Sequence, residues 1–107
     1  MIVTTTEEVP GYAVGEVLGV VSGNTVRSKN VGRDVMAGLK SLVGGELEEY
    51  TAMLSDARTE AYNRMVNAAR DLGADAVVNV RFATSQTMAA AAELLAYGTA
   101  VKLVPKK

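Results

Sequence analysis

The chain contains no cysteine and no histidine. Within one copy, that excludes disulfides, thiolate nucleophiles, imidazole acid–base chemistry and the donor sets of zinc fingers. Tryptophan is also missing, and phenylalanine occurs once. Neither sign of charge dominates. Eleven Lys and Arg stand against twelve Asp and Glu, a net of -1. A nucleic-acid partner, which would favour a strongly basic surface, is therefore not expected. Long apolar runs are lacking too. The longest candidate, residues 88–96, is cut by Glu93, whereas a membrane span needs roughly 18 apolar residues or more. The first eight residues carry neither a basic segment nor an apolar stretch, so no secretory signal is read there. The expected setting is the cytoplasm, with no membrane contact.

What the chain has instead is apolar content. Of 107 residues, 49% are hydrophobic and ten more are glycine. A length of this order suits a single domain over 1–107. Residues 2–6 are short and β-branched and predict a strand. Pro10-Gly11 marks a turn. Residues 12–22 predict a strand, the Ser22-Gly23-Asn24 turn signal predicts a bend, and 25–28 predicts its return, making an N-terminal hairpin. Asn30 suits a helix N-cap, and Val31, Val35, Leu39 and Leu42 then share one helical face. Gly44-Gly45 ends that short helix.

The long helix is the strongest periodic signal. Leu47, Tyr50, Leu54, Ala57, Ala61, Met65, Ala68 and Leu72 recur at spacings of three and four, the pattern of an amphipathic helix. Arg70 sits near its end, and Gly73 is a natural residue just past it. Glu60 and Arg64 can pair one turn apart. A second apolar edge, Met53, Tyr62, Val66 and Ala69, predicts a surface for another subunit. Val77, Val78, Val80 and Phe82 predict a buried strand. Residues 94–104 predict another, joined to it through a connection near 85–90. The fold class expected is α+β: a small antiparallel sheet packed against one long and one short helix, a β-α-β-β core with an extra N-terminal hairpin.

Several blocks carry a likeness beyond periodicity. They are Gly19-Val20-Val21-Ser22-Gly23, Arg33-Asp34, Val43-Gly44-Gly45-Glu46-Leu47-Glu48-Glu49-Tyr50-Thr51, Ala57-Arg58, Arg64-Met65, Leu72-Gly73-Ala74-Asp75-Ala76-Val77-Val78 and Tyr97-Gly98-Thr99-Ala100-Val101. In this order they resemble the YbjQ-like proteins, an uncharacterised group labelled for heavy-metal binding. The resemblance runs nearly end to end. It implies a dodecin-like subunit assembled as a ring-shaped homopentamer, and no established activity.

Three kinds of site can be read from the residues. Glu46, Glu48 and Glu49 are the candidate metal ligands, with oxygen donors suited to Ca²⁺, Mg²⁺ or Mn²⁺. The plainer reading is that they complement the positive end of the helix. Arg27, Lys29 and Arg33 are the candidate anion-binding group, against a solvated or ion-paired basic surface. No cofactor is indicated. No tight site for soft metals is expected, because those ions gain most from thiolate or imidazole. Gly44-Gly45 and the 19–24 segment lack the spacing of phosphate-binding loops. No catalytic residue is assigned. The function expected is a non-enzymatic homo-oligomeric binding or scaffold protein holding a small ligand or ion between subunits. The alternative is an enzyme whose carboxylates, Arg and Tyr meet at a subunit boundary.

Overall fold

A computed structural model of the chain describes residues 1–28, 45–88 and 91–106, the side chains of 28, 45–50 and 86–88 excepted. Its elements in order are β1 (Ile2–Val3), β2 (Tyr12–Ser28), α1 (Gly45–Asp71), β3 (Ala76–Met88) and β4 (Ala91–Pro105). The four strands form one sheet in the order β1-β3-β4-β2. β4 is antiparallel to both of its neighbours, and β1 is parallel to β3. The sheet is thus mixed, not antiparallel throughout. The reason is the N-terminus: it runs past Asp75 in the same sense as β3, with Thr4 N–H donating to the Val77 carbonyl (3.0 Å).

The N-terminal hairpin expected over 12–28 does not form. β2 is one continuous strand of 17 residues, pairing with β4 from Tyr12↔Pro105 to Ser28↔Ala91. Ser22-Gly23-Asn24 has turn composition, but Gly23 serves another need. A Cβ there would lie 2.3 Å from the Ala61 carbonyl oxygen and 2.5 Å from the Met65 nitrogen. The glycine is the place where helix backbone rests on strand backbone. Close approach, and not chain reversal, selects it. The short helix expected from Val31 to Leu42 lies outside the described residues. The strand-to-strand connection does fall where it was expected, although both strands run further into it, to Met88 and from Ala91.

The long helix and its end are as the sequence predicts. Gly73 takes φ 80°. Its N–H donates to the Arg70 carbonyl (2.9 Å), and Ala74 N–H donates to the Ala69 carbonyl (3.1 Å). These two bonds are the Schellman pair that satisfies the last carbonyls of a helix, and a left-handed residue is needed to make them. The buried stripe is narrower than the periodicity suggests. Ala57, Ala61, Met65 and Ala69 are wholly buried, while Leu72 is about half exposed. Leu72 follows the last helical residue, Asp71, where the chain turns away at Gly73, so it lies past the end of the contact line. Val66 and Ala69, expected on a second edge facing another subunit, belong to this chain's own core, and Tyr62 packs against it.

Against this stripe lie Val21, Val77, Val80, Leu94, Ala96 and Ala100. Three alanines on the helix and Gly23 on the strand bring the two layers unusually close. A second, smaller core lies on the opposite face, where Val9, Ala76, Val78 and Val101 pack with Leu103. Most of that opposite face is uncovered among the described residues. Val20 is 77% exposed, Val17 64% and Val26 59%. The molecule is long and flat, 59 × 23 × 16 Å, with a radius of gyration of 17.6 Å; about 13 Å is expected for a compact chain of this length. It exposes 6688 Å², whereas a compact monomer of this mass exposes about 5,700 Å².

Candidate functional site

The densest polar cluster among the described residues lies where α1 docks on β2. Thr25, buried on the helix-facing side, donates its hydroxyl to the Ala57 carbonyl (2.8 Å). That carbonyl sits inside the helix, so the bond ties strand to helix at a point water does not reach. One turn later Glu60 receives two guanidinium groups. Arg64 donates Nη2 to Glu60 Oε1 (2.5 Å), and Arg27 donates Nη2 to Glu60 Oε2. Arg64 also donates Nη1 to the Asn24 carbonyl (2.6 Å). The Glu60–Arg64 pair was legible as a one-turn spacing. Arg27 joins them from 33 residues away, a contact that only the docking of strand and helix creates. Guanidinium groups do not deprotonate in proteins. The two fixed positive charges hold the Glu60 carboxylate from both sides, and the cluster works as a clamp between two elements.

The other face of the sheet carries a second polar row. Asn24, Glu93 and Ser85 stand side by side on β2, β4 and β3, as the registers Asn24↔Leu95, Val26↔Glu93 and Ser85↔Glu93 require. Asn24 Nδ2 donates to Glu93 Oε2 (3.4 Å), and Ser85 Oγ to Glu93 Oε1 (3.5 Å). Sequence reasoning missed this row because the three residues are far apart in the chain and share no spacing. At the far end of the molecule an open cleft of about 620 Å³ is lined by Thr6, Val9, Tyr12, Val14, Leu103 and Lys106, among others. Its wall is mainly apolar, and its polar lining includes the carboxylates of Glu7 and Glu8 as well as hydroxyl and ammonium groups.

Beside that cleft Asp75 fastens the start of β3 to β4. Its Oδ2 accepts the Leu103 N–H (2.8 Å), and Lys102 Nζ approaches Oδ1 (3.5 Å). The backbone N–H of Leu103 first, and then the Lys102 charge, hold this carboxyl below its ordinary range. A group whose folded pKa is depressed contributes stability above the unfolded value and loses it as pH falls through the folded one. Asp75→Asn is expected to lower the melting temperature modestly at neutral pH. The gap to the parent should close on acidification below about pH 4. Thermal melts at the two pH values check this; a gap that persists in acid would show that charge is not what Asp75 contributes.

The predicted site residues are placed as follows. Arg27 is paired with Glu60. Lys29 and Arg33 lie outside the described residues. Glu46, Glu48 and Glu49 fall in the first turns of α1, and their side chains lie outside the described ones. Among the described residues no three acidic side chains come together in a way that could hold a metal ion. The donor chemistry does not fit a soft metal within one chain: no thiolate or imidazole exists anywhere in the sequence, and Met65, whose thioether is the remaining soft donor on α1's buried stripe, is sealed in the core. No described helix is long and apolar enough to cross a membrane.

The fold and the sequence together place the chain in a family. Residues 1–104 match the YbjQ family model, whose description is "putative heavy-metal-binding". The chain belongs to this family, whose curated members carry the name UPF0145 protein. It is 94% identical to the UPF0145 protein of Methanoculleus marisnigri over the full length of both chains. It is 72% identical to that of Archaeoglobus fulgidus over 103 residues, 96% of this chain and 95% of the relative. The UPF0145 protein of Thermotoga maritima is 60% identical over 96% of this chain and 97% of its own. The fold is shared with a crystal structure from Pediococcus pentosaceus, a protein of unknown function in the DUF74 family. The TM-score is 0.70 at 18% identity, covering 97% of this chain and 98% of that one.

Proposed function

We propose that this chain is the subunit of a homo-oligomer, a ring of five as the family resemblance implies, and that it serves as a non-enzymatic binding or scaffold protein. The observation that carries the reading is its surface. The chain exposes 6688 Å², about 1,000 Å² more than a compact monomer of its mass would. Val17, Val20 and Val26, on an uncovered sheet face, are the most exposed of its large apolar side chains among the described residues. Exposed apolar side chains in such number on one face are characteristic of protein interfaces. The non-enzymatic part is supported by the pairing of Glu60 with Arg27 and Arg64 and of Asp75 with Lys102, contacts that tie one element to another. A small ligand or an ion coordinated by oxygen would sit between copies, where carboxylates such as Glu46, Glu48 and Glu49 can be repeated about an axis.

Sedimentation velocity and native mass spectrometry at micromolar concentration test the assembly. The expected result is a single species at five times the 11.2 kDa chain mass. A clean monomer would remove the reading altogether.

A further inference from the structure

We infer that copies of this chain join edge to edge, the free edge of β2 in one copy adding in parallel to the free edge of β3 in the next. The inference rests on the homo-oligomer reading and specifies its interface.

Among the described residues the sheet order leaves two edges open. β2 has a ladder partner on one side only. On the other side of the sheet, β1 pairs only with Ala76 and Val77, and the carbonyls of Thr6 and Thr4 take the N–H groups of Asn79 and Val80. From Arg81 onward β3 has β4 alone among the described residues. Strand edges of monomers are normally guarded by charge, proline or bulges. Between Gly19 and Ser28 the β2 ladder runs without a register shift, contains no proline and carries one charge of its own, while Arg64 of α1 caps the Asn24 carbonyl. That charge, Arg27, is turned to Glu60. On β3 the first charge, Arg81, is folded back, its Nη1 donating to the Thr5 and Val80 carbonyls.

Backbone alternation shows which groups turn outward from the ladder with β4. In an antiparallel ladder a residue's N–H and C=O point to the same side, and successive residues alternate. The Asn24 carbonyl meets Arg64 at the rim of the sheet. Val20, Ser22 and Val26 share its parity and turn away from β4. Val80 donates its N–H to Thr4, also away from β4, so Phe82 and Thr84 point outward too. The two assignments agree across β4: if Gly23 and Ala96 bond each other, then Leu95 bonds Ala83, and the outward residues of β3 are the even-numbered ones.

Direction and cover fit as well. β2 and β3 are both antiparallel to β4, so they run the same way on opposite edges. A rotation about an axis along the strands preserves strand sense, which makes the new pair parallel and the contact head-to-tail, able to close into a ring. Within one copy α1 lies over β2 and β4 and barely reaches β3. Phe82, on the helix side of β3 opposite Ala96, is left 45% exposed. Adding the next copy's β2 brings that copy's helix alongside Phe82 and covers it. The surplus surface of about 1,000 Å² is also of the order that a standard interface takes from each partner, about 800 Å².

The test uses one block on each edge. Ser22→Pro removes an outward N–H from β2, and Thr84→Pro removes one from β3; neither touches the ladder with β4. Each variant alone is expected to be a folded monomer by circular dichroism and native mass spectrometry. Mixed at high concentration, they retain one good edge each and should form a 1:1 heterodimer of twice the chain mass, and nothing larger. Should either proline variant lose its fold, Val20→Lys and Phe82→Lys block the same edges through exposed side chains, with the same expectation. The inference is overturned if either blocked variant keeps the parent's mass, if Thr84→Pro alone forms dimers through β2, or if the mixture stays monomeric. A parent chain that is itself monomeric sinks the oligomer reading instead, a result distinguishable from all of these.

Discussion

Replacing Gly23 with alanine is expected to lower the melting temperature by at least about 10 °C. The added Cβ would stand 2.3 Å from the Ala61 carbonyl oxygen, 2.5 Å from the Met65 nitrogen and 2.6 Å from the Arg64 Cβ. Two of these neighbours are helix backbone, which cannot swing aside as a side-chain tip can. Relief requires the helix to lift off the strand. Lifting it strains the Thr25–Ala57 bond, the Arg64–Asn24 bond and the Arg27–Glu60 pair, all of which span the same junction. Overpacking a tight contact costs about 1–3 kcal/mol, and coupling to those bonds puts this site at or above the top of that range. For a domain near 100 residues each kcal/mol moves the midpoint by roughly 4–8 °C. Ser22→Ala, one residue away on the opposite and exposed face, should change stability by less than about 0.5 kcal/mol. Thermal and urea unfolding of both variants makes the comparison. Similar midpoints for Gly23→Ala and Ser22→Ala would mean that the helix does not rest on this strand as described.

Met65→Ala is expected to cost about 2–5 kcal/mol, the range for emptying a large side chain's place in a core. Met65 is among the largest fully buried side chains of the chain. Its neighbours on the helix stripe, Ala61 and Ala69, are too short to fill the space. The sheet beneath is pinned by Gly23 at its closest approach, so collapse into the cavity is limited. Leu at this position keeps most of the volume and should cost less than about 1.5 kcal/mol. Denaturant titration of Met65→Ala and Met65→Leu checks the order; equal losses would show that the site is governed by shape and not by cavity volume.

These two positions show how unevenly the sequence speaks. Met65 was readable as core because an apolar residue at helical spacing has few other uses. Gly23 was misread as a turn. Glycine is compatible with a chain reversal and with close packing alike, and local sequence does not separate the two. Asn24 and Ser22 beside it reinforced the turn reading, although in the fold they are simply the outward-facing residues of a straight strand. Likewise Arg27 read as part of a basic group with Lys29 and Arg33, because its acidic partner Glu60 is distant in sequence. The row of Asn24, Glu93 and Ser85 had no sequence signature at all.

By itself the sequence determined the α+β class, the long helix with its Schellman end at Gly73, the strand pair that follows it and the family to which the chain belongs. It also fixed what chemistry one chain cannot supply, since absent side chains are absent in any fold. Each of these depends on local periodicity, on a single backbone requirement or on composition. Only the tertiary structure decided that β1 runs parallel to β3, that β2 is one unbroken strand, and that Gly23 receives the helix. It also decided that most of the exposed large apolar side chains among the described residues lie on the sheet and not on the helix. Those features arise from which elements lie side by side, a choice set by the packing of residues many positions apart.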